Sequence, residues 1–400
     1  MSPLKQGPGS DTIEYRPISV KELLVRMKDG SELIVDLAYS ALLHNSEALA
    51  EEVLELETRM DSLQLQARMN MLLAARTTTD AQQLAPVLGI ISATETVSDV
   101  AGDLAQLVLG EQQLPGAIRA ALPEATEVLA SATLVEDSTY AGRTLGEIDL
   151  ETETGVRVIG LRGENWVLNP DYETTLTPGD VLLLRGSEQT VSDVYETVTG
   201  ESYQPPETVD HDIADLQRAV DTIVLMKDVS ELSLDLAYGS ILFDDSDLAT
   251  EVHALEVEVD ALQSRLEAWT LRAAAEVDDP ISLRGLLRLA TSTERISDAA
   301  FDITEGVRHD IDAHPVIAES VRESDVAIRR VTITAGSSLH GTTVETVRDS
   351  YPGVGIIAIH RADDEWVFYP EPDDELGADD VLLVRGTWDA TGELLERAGR

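Results

Sequence analysis

Four carboxylate pairs are the residues of this sequence best placed to do chemistry: Glu32 with Asp36, Glu95 with Asp99, Glu231 with Asp235, and Glu294 with Asp298. On a helix, i, i+4 spacing puts both members of a pair on one face. There they could share a hard cation, a divalent ion or K+, or build a multinuclear metal centre from oxygen ligands. Without a counter-ion they repel and weaken the helix slightly. The competing reading is a solvated acidic face, since 75 of 400 residues are Asp or Glu. Against it, the pairs recur at equal positions in two halves of the chain and lie beside apolar residues.

A second feature is a strand pair, Gly155 to Pro170, which returns as Gly355 to Pro370. Branched apolar residues lead into an Arg-containing turn, a Trp-Val pair and a proline, and a VLL-x-Arg-Gly strand follows. This reads as a small β-rich ligand-binding domain. Catalytic arrangements are thin. The seven histidines are scattered, and neither His-Glu-x-x-His, a Gly-x-Ser-x-Gly elbow, a P-loop nor a strand-borne Gly-x-Gly-x-x-Gly is present. A non-enzymatic protein is expected.

The elements that must position these residues follow from periodicity. Residues 1–16 read as a mobile arm. In 17–112, helical spacing from Ser19 to Leu43 ends in a polar break at His44 to Ser46. Further helices are expected over 47–75 and 81–109, with Pro86 near the first turn of the latter. Short joints imply an antiparallel three-helix bundle. A connector over 113–130, with Pro115 and Pro123, carries a short helix. Over 131–200 the period shortens to two, with strands at 132–135, in the opening pair and at 180–185, and short helices at 141–150 and 188–197: an α+β domain with a small antiparallel sheet. Residues 201–211 are a linker.

Everything then repeats as 212–311, 312–324 and 325–400. Met27 to Tyr39 matches Met226 to Tyr238 at ten of thirteen positions, at an offset of 199. Asp61-Ser62-Leu63-Gln64, Thr94-Glu95 and Ser98-Asp99 recur at that same offset. In the strand domain Gly155, Trp166, Pro170 and Arg185-Gly186 pair with Gly355, Trp366, Pro370 and Arg385-Gly386 at 200, implying one residue gained between helix and strand. The fold class is therefore mixed α and α+β, a tandem duplication able to fold as a pseudo-dimer within one chain, with a homodimer as the alternative.

Composition limits the partners. With 29 basic against 75 acidic residues the net charge is −46, which repels nucleic acid and anionic lipid at ordinary salt. Only Lys5, Lys21, Lys28 and Lys227 are lysines. The Lys-poor, acid-rich balance resembles proteins of salt-accumulating haloarchaea, where a Debye length of about 3 Å screens surface repulsion. No cysteine is present. The amino terminus lacks a signal-peptide core, and no run approaches about 18 uninterrupted apolar residues. A cytoplasmic location is expected, with any membrane link made through a partner.

The helical modules resemble the PhoU family, through Thr94-Glu95-Thr96-Val97-Ser98-Asp99 and Thr293-Glu294-Arg295-Ile296-Ser297-Asp298, which are similar to its Glu-Arg-Ile-x-Asp signature. That resemblance implies bundles whose acidic motifs hold metal clusters. The strand domains resemble the regulator-of-conductance C-terminal domain, TrkA-C, through Gly142 to Ile148, Val156 to Arg162, Val167 to Pro170 and Thr177 to Leu183, although Gly377 to Asp380 replaces Thr-Pro-Gly-Asp in the second copy. It implies a regulator of potassium or cation transport that acts on a membrane transporter or channel subunit. It also implies a small nucleotide, cyclic di-AMP, held between two such domains.

Such a two-fold ligand needs two apolar walls and donors for its phosphates. Val158, Ile159, Asn169 and Pro170 are assigned to one wall and Ile357, Ala358, Ile359, Tyr369 and Pro370 to the other, with Arg162, His360 and Arg361 as donors. The alternatives are a PhoU-type modulator of phosphate-uptake signalling with metal at the carboxylate pairs, and a structural scaffold.

Overall fold

Helix α1 (Val20–His44) starts where the Ser19 hydroxyl accepts the Glu22 amide hydrogen. It stops at Asn45, whose left-handed backbone (φ 46°) turns the chain into α2 (Glu47–Ala74), capped by Ser46. The second copy makes the same joint with Asp244 and Asp245. Thr77 and Asp80 form the capping box that opens α3 (Thr78–Leu109), three residues before the start expected at 81. Reciprocal side-chain caps satisfy amides that the helix itself leaves orphaned. Helix α3 is long and apolar enough by composition to cross a membrane, yet 56% of its most apolar window is buried, and it packs against α1 and α2 as bundle core.

The computed structural model describes residues 19–110, 128–163, 166–204, 213–277, 280–309, 315–324, 326–351, 353–362, 365–368 and 370–398. The arm expected over 1–16, the connector helix, most of the linker and Tyr369 lie outside these residues.

The first small domain comprises β1 (Val128–Thr133), α4 (Leu145–Ile148), α5 (Leu150–Thr154), β2 (Arg157–Arg162), β3 (Trp166–Leu168), β4 (Val181–Gly186) and α6 (Glu188–Thr199). The sheet is antiparallel throughout, in the order β1-β4-β2-β3. The second module contains α7 (Ala214–Phe243), α8 (Ser246–Ala273) and α9 (Arg284–Ile303), followed by α10 (Glu305–Arg308) and α11 (Val316–Arg322). The second small domain has β5 (Ala327–Thr332), α12 (Val344–Ser350), β6 (Val354–His360), β7 (Trp366–Phe368), β8 (Val381–Gly386) and α13 (Trp388–Ala398), in the order β5-β8-β6-β7.

Strand register corrects the expected alignment of the copies. Val128 and Ala327 both face the closing glycine of the last strand, so the offset of 199 persists through the first strand. Arg157 and Gly355 both face the last strand's arginine, an offset of 198. Three residues then separate β2 from β3 but five separate β6 from β7, which restores 200. Gly155 therefore corresponds to Gly353, and Arg162 to His360. One residue is lost before the second strand and two are gained in its turn, so the single insertion expected between helix and strand does not occur. Turns absorb such changes because their backbone runs over the surface.

Both faces of each sheet are buried, which explains the unbroken Val181 to Leu184 run. Val158, Leu161, Leu182 and Leu184 face their own domain's helices. Leu183 joins Ile159 in the core of the helical bundle, with Trp166 and Leu168 packed against it. A bulge at Ile159 makes this possible, because the extra residue turns one more side chain towards the bundle. The same bulge occurs at Ile357. One contiguous core thus joins both helical modules and the inner faces of both sheets.

Candidate functional site

The most strictly repeated stretch, Met27 to Tyr39 and Met226 to Tyr238, builds the buried centre of the molecule. Lys28 and Lys227 are 3% and 7% exposed, a placement a lysine tolerates only when paired. Lys28 Nζ lies 2.7 Å from Glu32 and 5.0 Å from the Tyr238 ring centroid; Lys227 Nζ lies 2.7 Å from Glu231 and 5.3 Å from the Tyr39 ring. These reciprocal contacts mark an internal pseudo-two-fold.

One turn along each helix, Asp36 pairs with Arg185 of β4, and Asp235 pairs with Arg385 of β8 at 2.9 Å. Burial alone would raise the Glu32 carboxyl, but Lys28, Arg385 and Arg157 outweigh it and hold it below the usual carboxylate range. Burial wins at Asp235, which is pushed up despite Arg385. Glu32, Asp36, Glu231 and Asp235 were expected among the metal ligands; in this structure each is paired with a side-chain cation.

The other two pairs sit in a different environment. Glu95 and Asp99 on α3 face Glu57 and Asp61 on α2, with Asp103 one turn further along. Burial, then Asp99, Asp61 and Asp103, pushes Glu57 up to about 7. The Glu57 carboxylate rests on Gly102, where any Cβ would collide with it. Arginines partly neutralise this cluster: Arg68 reaches Glu95 at 3.1 Å, and Arg295 crosses from α9 to Asp103 at 2.8 Å.

The second cluster places Glu256, Asp260 and Asp298 with ligand oxygens all within 4.8 Å of one another. Burial, with Asp298 and Asp260, pushes Glu294 up to about 7. Three converging carboxylates fit a hard cation with oxygen ligands. The offset of 199 relates the clusters residue by residue, yet only Glu95, Asp99, Glu294 and Asp298 were singled out from sequence. Glu57, Asp61, Asp103, Glu256, Asp260 and Asp302 were missed, although the same offset relates them.

The described residues assigned to the ligand walls divide between different cores. Val158 and Ile359 lie in their own domain cores, while Ile159, Ile357 and Ala358 face the helices. Asn169 is half-buried and accepts from Arg157 at 2.9 Å; Pro170 is half-buried and Pro370 buried. Of the assigned donors, Arg162 is exposed and lies over the Trp166 ring at 5.5 Å. His360 stacks on Trp366 at 4.6 Å. Arg361 is taken by Asp380 at 2.9 Å, Asp374 at 3.5 Å and the Glu375 carbonyl, so it staples the longer turn. Apolar strand residues buried on both faces have no side left for a pocket. The two small domains do approach each other where a Cβ on Gly353 would stand 3.3 Å from the Glu151 carbonyl oxygen.

The PhoU domain family model matches residues 24–108 and 223–307, and the TrkA-C domain model matches 129–199 and 328–399. The chain consists of two PhoU domains alternating with two TrkA-C domains. Among solved structures, PhoU from Pseudomonas aeruginosa is similar at 15% identity over 72% of this chain and 93% of that one, with a TM-score of 0.40. The GsuK channel bound to NAD is similar at 14% identity over 78% and 65%, with a TM-score of 0.18. The GsuK RCK domain gives 14% over 78% and 79%, with a TM-score of 0.19. A search of curated proteins finds no match.

PhoU and TrkA-C are regulatory families rather than catalytic ones. In this chain the acidic clusters lie wholly within the PhoU domains, and the Asp36–Arg185 and Asp235–Arg385 ion pairs join PhoU helices to TrkA-C strands. Arg185 and Arg385, the docking arginines, went unassigned in the sequence; their signal was an Arg-Gly closing the apolar run in both copies.

Proposed function

We propose that this chain is a non-enzymatic regulator of cation transport, with potassium as the cation and a membrane transporter or channel subunit as the partner. In this reading the TrkA-C domains take a small nucleotide, cyclic di-AMP being the favoured ligand, and the PhoU bundle passes their state on. The supporting observation is the docking of each TrkA-C sheet face-on against the PhoU helices, sealed by Arg185 with Asp36 and Arg385 with Asp235. A sheet buried this way cannot shift without disturbing the helices, because packed cores repack between discrete states rather than deform smoothly. The apolar wall residues Val158, Ile159, Ile357, Ala358 and Ile359 are covered, so a ligand using them must open that seam.

The acidic surface suits molar salt, which sets the conditions of the test. Calorimetric titration of the full chain with cyclic di-AMP in molar KCl should give saturable heat at one ligand per chain. No heat at ligand concentrations up to about 1 mM, a level corresponding to only about 4 kcal/mol of binding, overturns the nucleotide reading.

A second reading has its own observation. The convergence of Glu256, Asp260 and Asp298 favours a PhoU-type modulator of phosphate-uptake signalling with a metal-loaded second domain. Bound iron, zinc or manganese in the purified protein, without nucleotide heat, supports it.

A further inference from the structure

We propose that the arginines of the TrkA-C domains are the counter-ions of the PhoU centre, so that breaking a TrkA-C domain's arginine contacts drives the two PhoU domains apart by charge repulsion. The device is built from this chain's own residues and does not depend on which ligand, if any, moves the domains.

Four carboxylates meet at the pseudo-two-fold: Glu32 and Asp36 from α1, Glu231 and Asp235 from α7. Among the described residues, the PhoU domains set Lys28 against Glu32 and Lys227 against Glu231. Arg185 comes from the first TrkA-C domain and binds Asp36; Arg385 comes from the second and binds Asp235. Their fields reach across the two-fold. Arg385 acts on Glu32 of the opposite PhoU domain as well as on Asp235, Arg185 acts on Asp235 as well as on Asp36, and Arg157 adds to the field at Glu32. With both sheets docked, three arginines join the two lysines facing these four carboxylates, which Asp29 and Asp228 adjoin. With the arginines disengaged, the two lysines are left to offset them.

The setting makes that imbalance matter. With the sheets in place Asp36 and Asp235 are 9% and 8% exposed, so when an arginine disengages while the sheet still covers them, solvent screens the stranded charges weakly. Removing one partner of a buried ion pair leaves a charge that neither water nor protein compensates. Here it leaves two like charges, Glu32 and Asp235, on helices of different domains.

The second half carries a further tie. Ser324, just before β5, accepts from Lys28 at 2.7 Å and donates to Asp29 at 2.6 Å, and its carbonyl accepts from Trp388 Nε1 at 3.0 Å. Lys21 reaches Glu323 at 2.8 Å. The approach to the second TrkA-C domain is thus clamped to α1 of the first PhoU domain. Trp388 and Arg329, which lies over its ring at 4.7 Å, have Glu188 and Ala130 in their places in the first copy. Movement of the second TrkA-C domain therefore acts on the first PhoU domain, across the chain.

The test is charge rescue in the full chain in molar KCl. In Arg385→Met, hydrogen–deuterium exchange over residues 28–36 and 227–235 should rise at least tenfold, with a larger radius of gyration in solution scattering. Adding Glu32→Gln and Asp235→Asn to that variant removes the repulsion and should return both readings to within about twofold of the parent. A single variant that fails to fold while the triple variant folds supports the same conclusion. The proposal is overturned if the single variant stays as protected and compact as the parent, or if the triple variant remains as expanded or unfolded as the single one.

Discussion

Glu231 with Asp235 and Glu294 with Asp298 share one spacing, one kind of helix and one PhoU domain, yet the structure gives them opposite electrostatics. The first pair, Asp235 buried and Glu231 half-buried, is neutralised by Arg385 and Lys227. The second stands among Asp260, Asp302 and Glu256. Their difference shows that i, i+4 spacing fixes only which face the carboxylates share, and the element packed opposite decides whether that face is a joint or a cation site.

The sharpest test of that contrast is stability. Asp235→Ala strands Arg385 and should cost about 3–5 kcal/mol in urea unfolding. Asp99→Ala relieves repulsion from Glu95 and Asp61 and should cost nothing. Equal losses would erase the distinction.

Cation binding comes next. Titrated with Mn2+, the protein should lose at least tenfold in affinity on Asp298→Asn and little on Asp99→Asn, because Arg295 and Arg68 already serve the first cluster. Binding at the second cluster should weaken as pH falls through about 7, where Glu294 takes up a proton that competes with the metal.

The pH profile of stability should carry the same signature. Glu57 and Glu294 have folded-state pKa values raised to about 7 from an ordinary value of 4.5. The folded chain then binds more protons than the unfolded one between those limits, so stability is favoured below about 4.5 and lost as pH rises through 7. Glu57→Gln together with Glu294→Gln should flatten that fall; an unchanged slope assigns it elsewhere.

Gly102→Ala gives the smallest effect. The new Cβ displaces the Glu57 carboxylate towards solvent, while the helix gains about 1 kcal/mol of intrinsic propensity. Stability should hold or rise, and the Glu57 titration near 7, followed by NMR of the carboxyl, should move down.

Periodicity and the strict repeat of Met27 to Tyr39 were enough to identify the helices and the duplication, because those depend on local spacing, while the PhoU and TrkA-C domains were legible through their short motifs. Strand register could not be read, since the loss of one residue and the gain of two cancel to a plausible offset of 200. Nor could the destination of the apolar strand residues. Ile159 and Ile357 look alike whether they line a pocket or a core, and only the bulge and the bundle above it settle which.

The sequence by itself determined that carboxylates would stand in pairs on helix faces and that two lysines, among only four, would recur within the repeat. The tertiary structure alone decided which pairs are joints, because the neutralising Arg185 and Arg385 lie 149 and 150 residues away from Asp36 and Asp235 along the chain. A charge's role depends on what crosses the space in front of it, and that is set by packing rather than by neighbours in sequence.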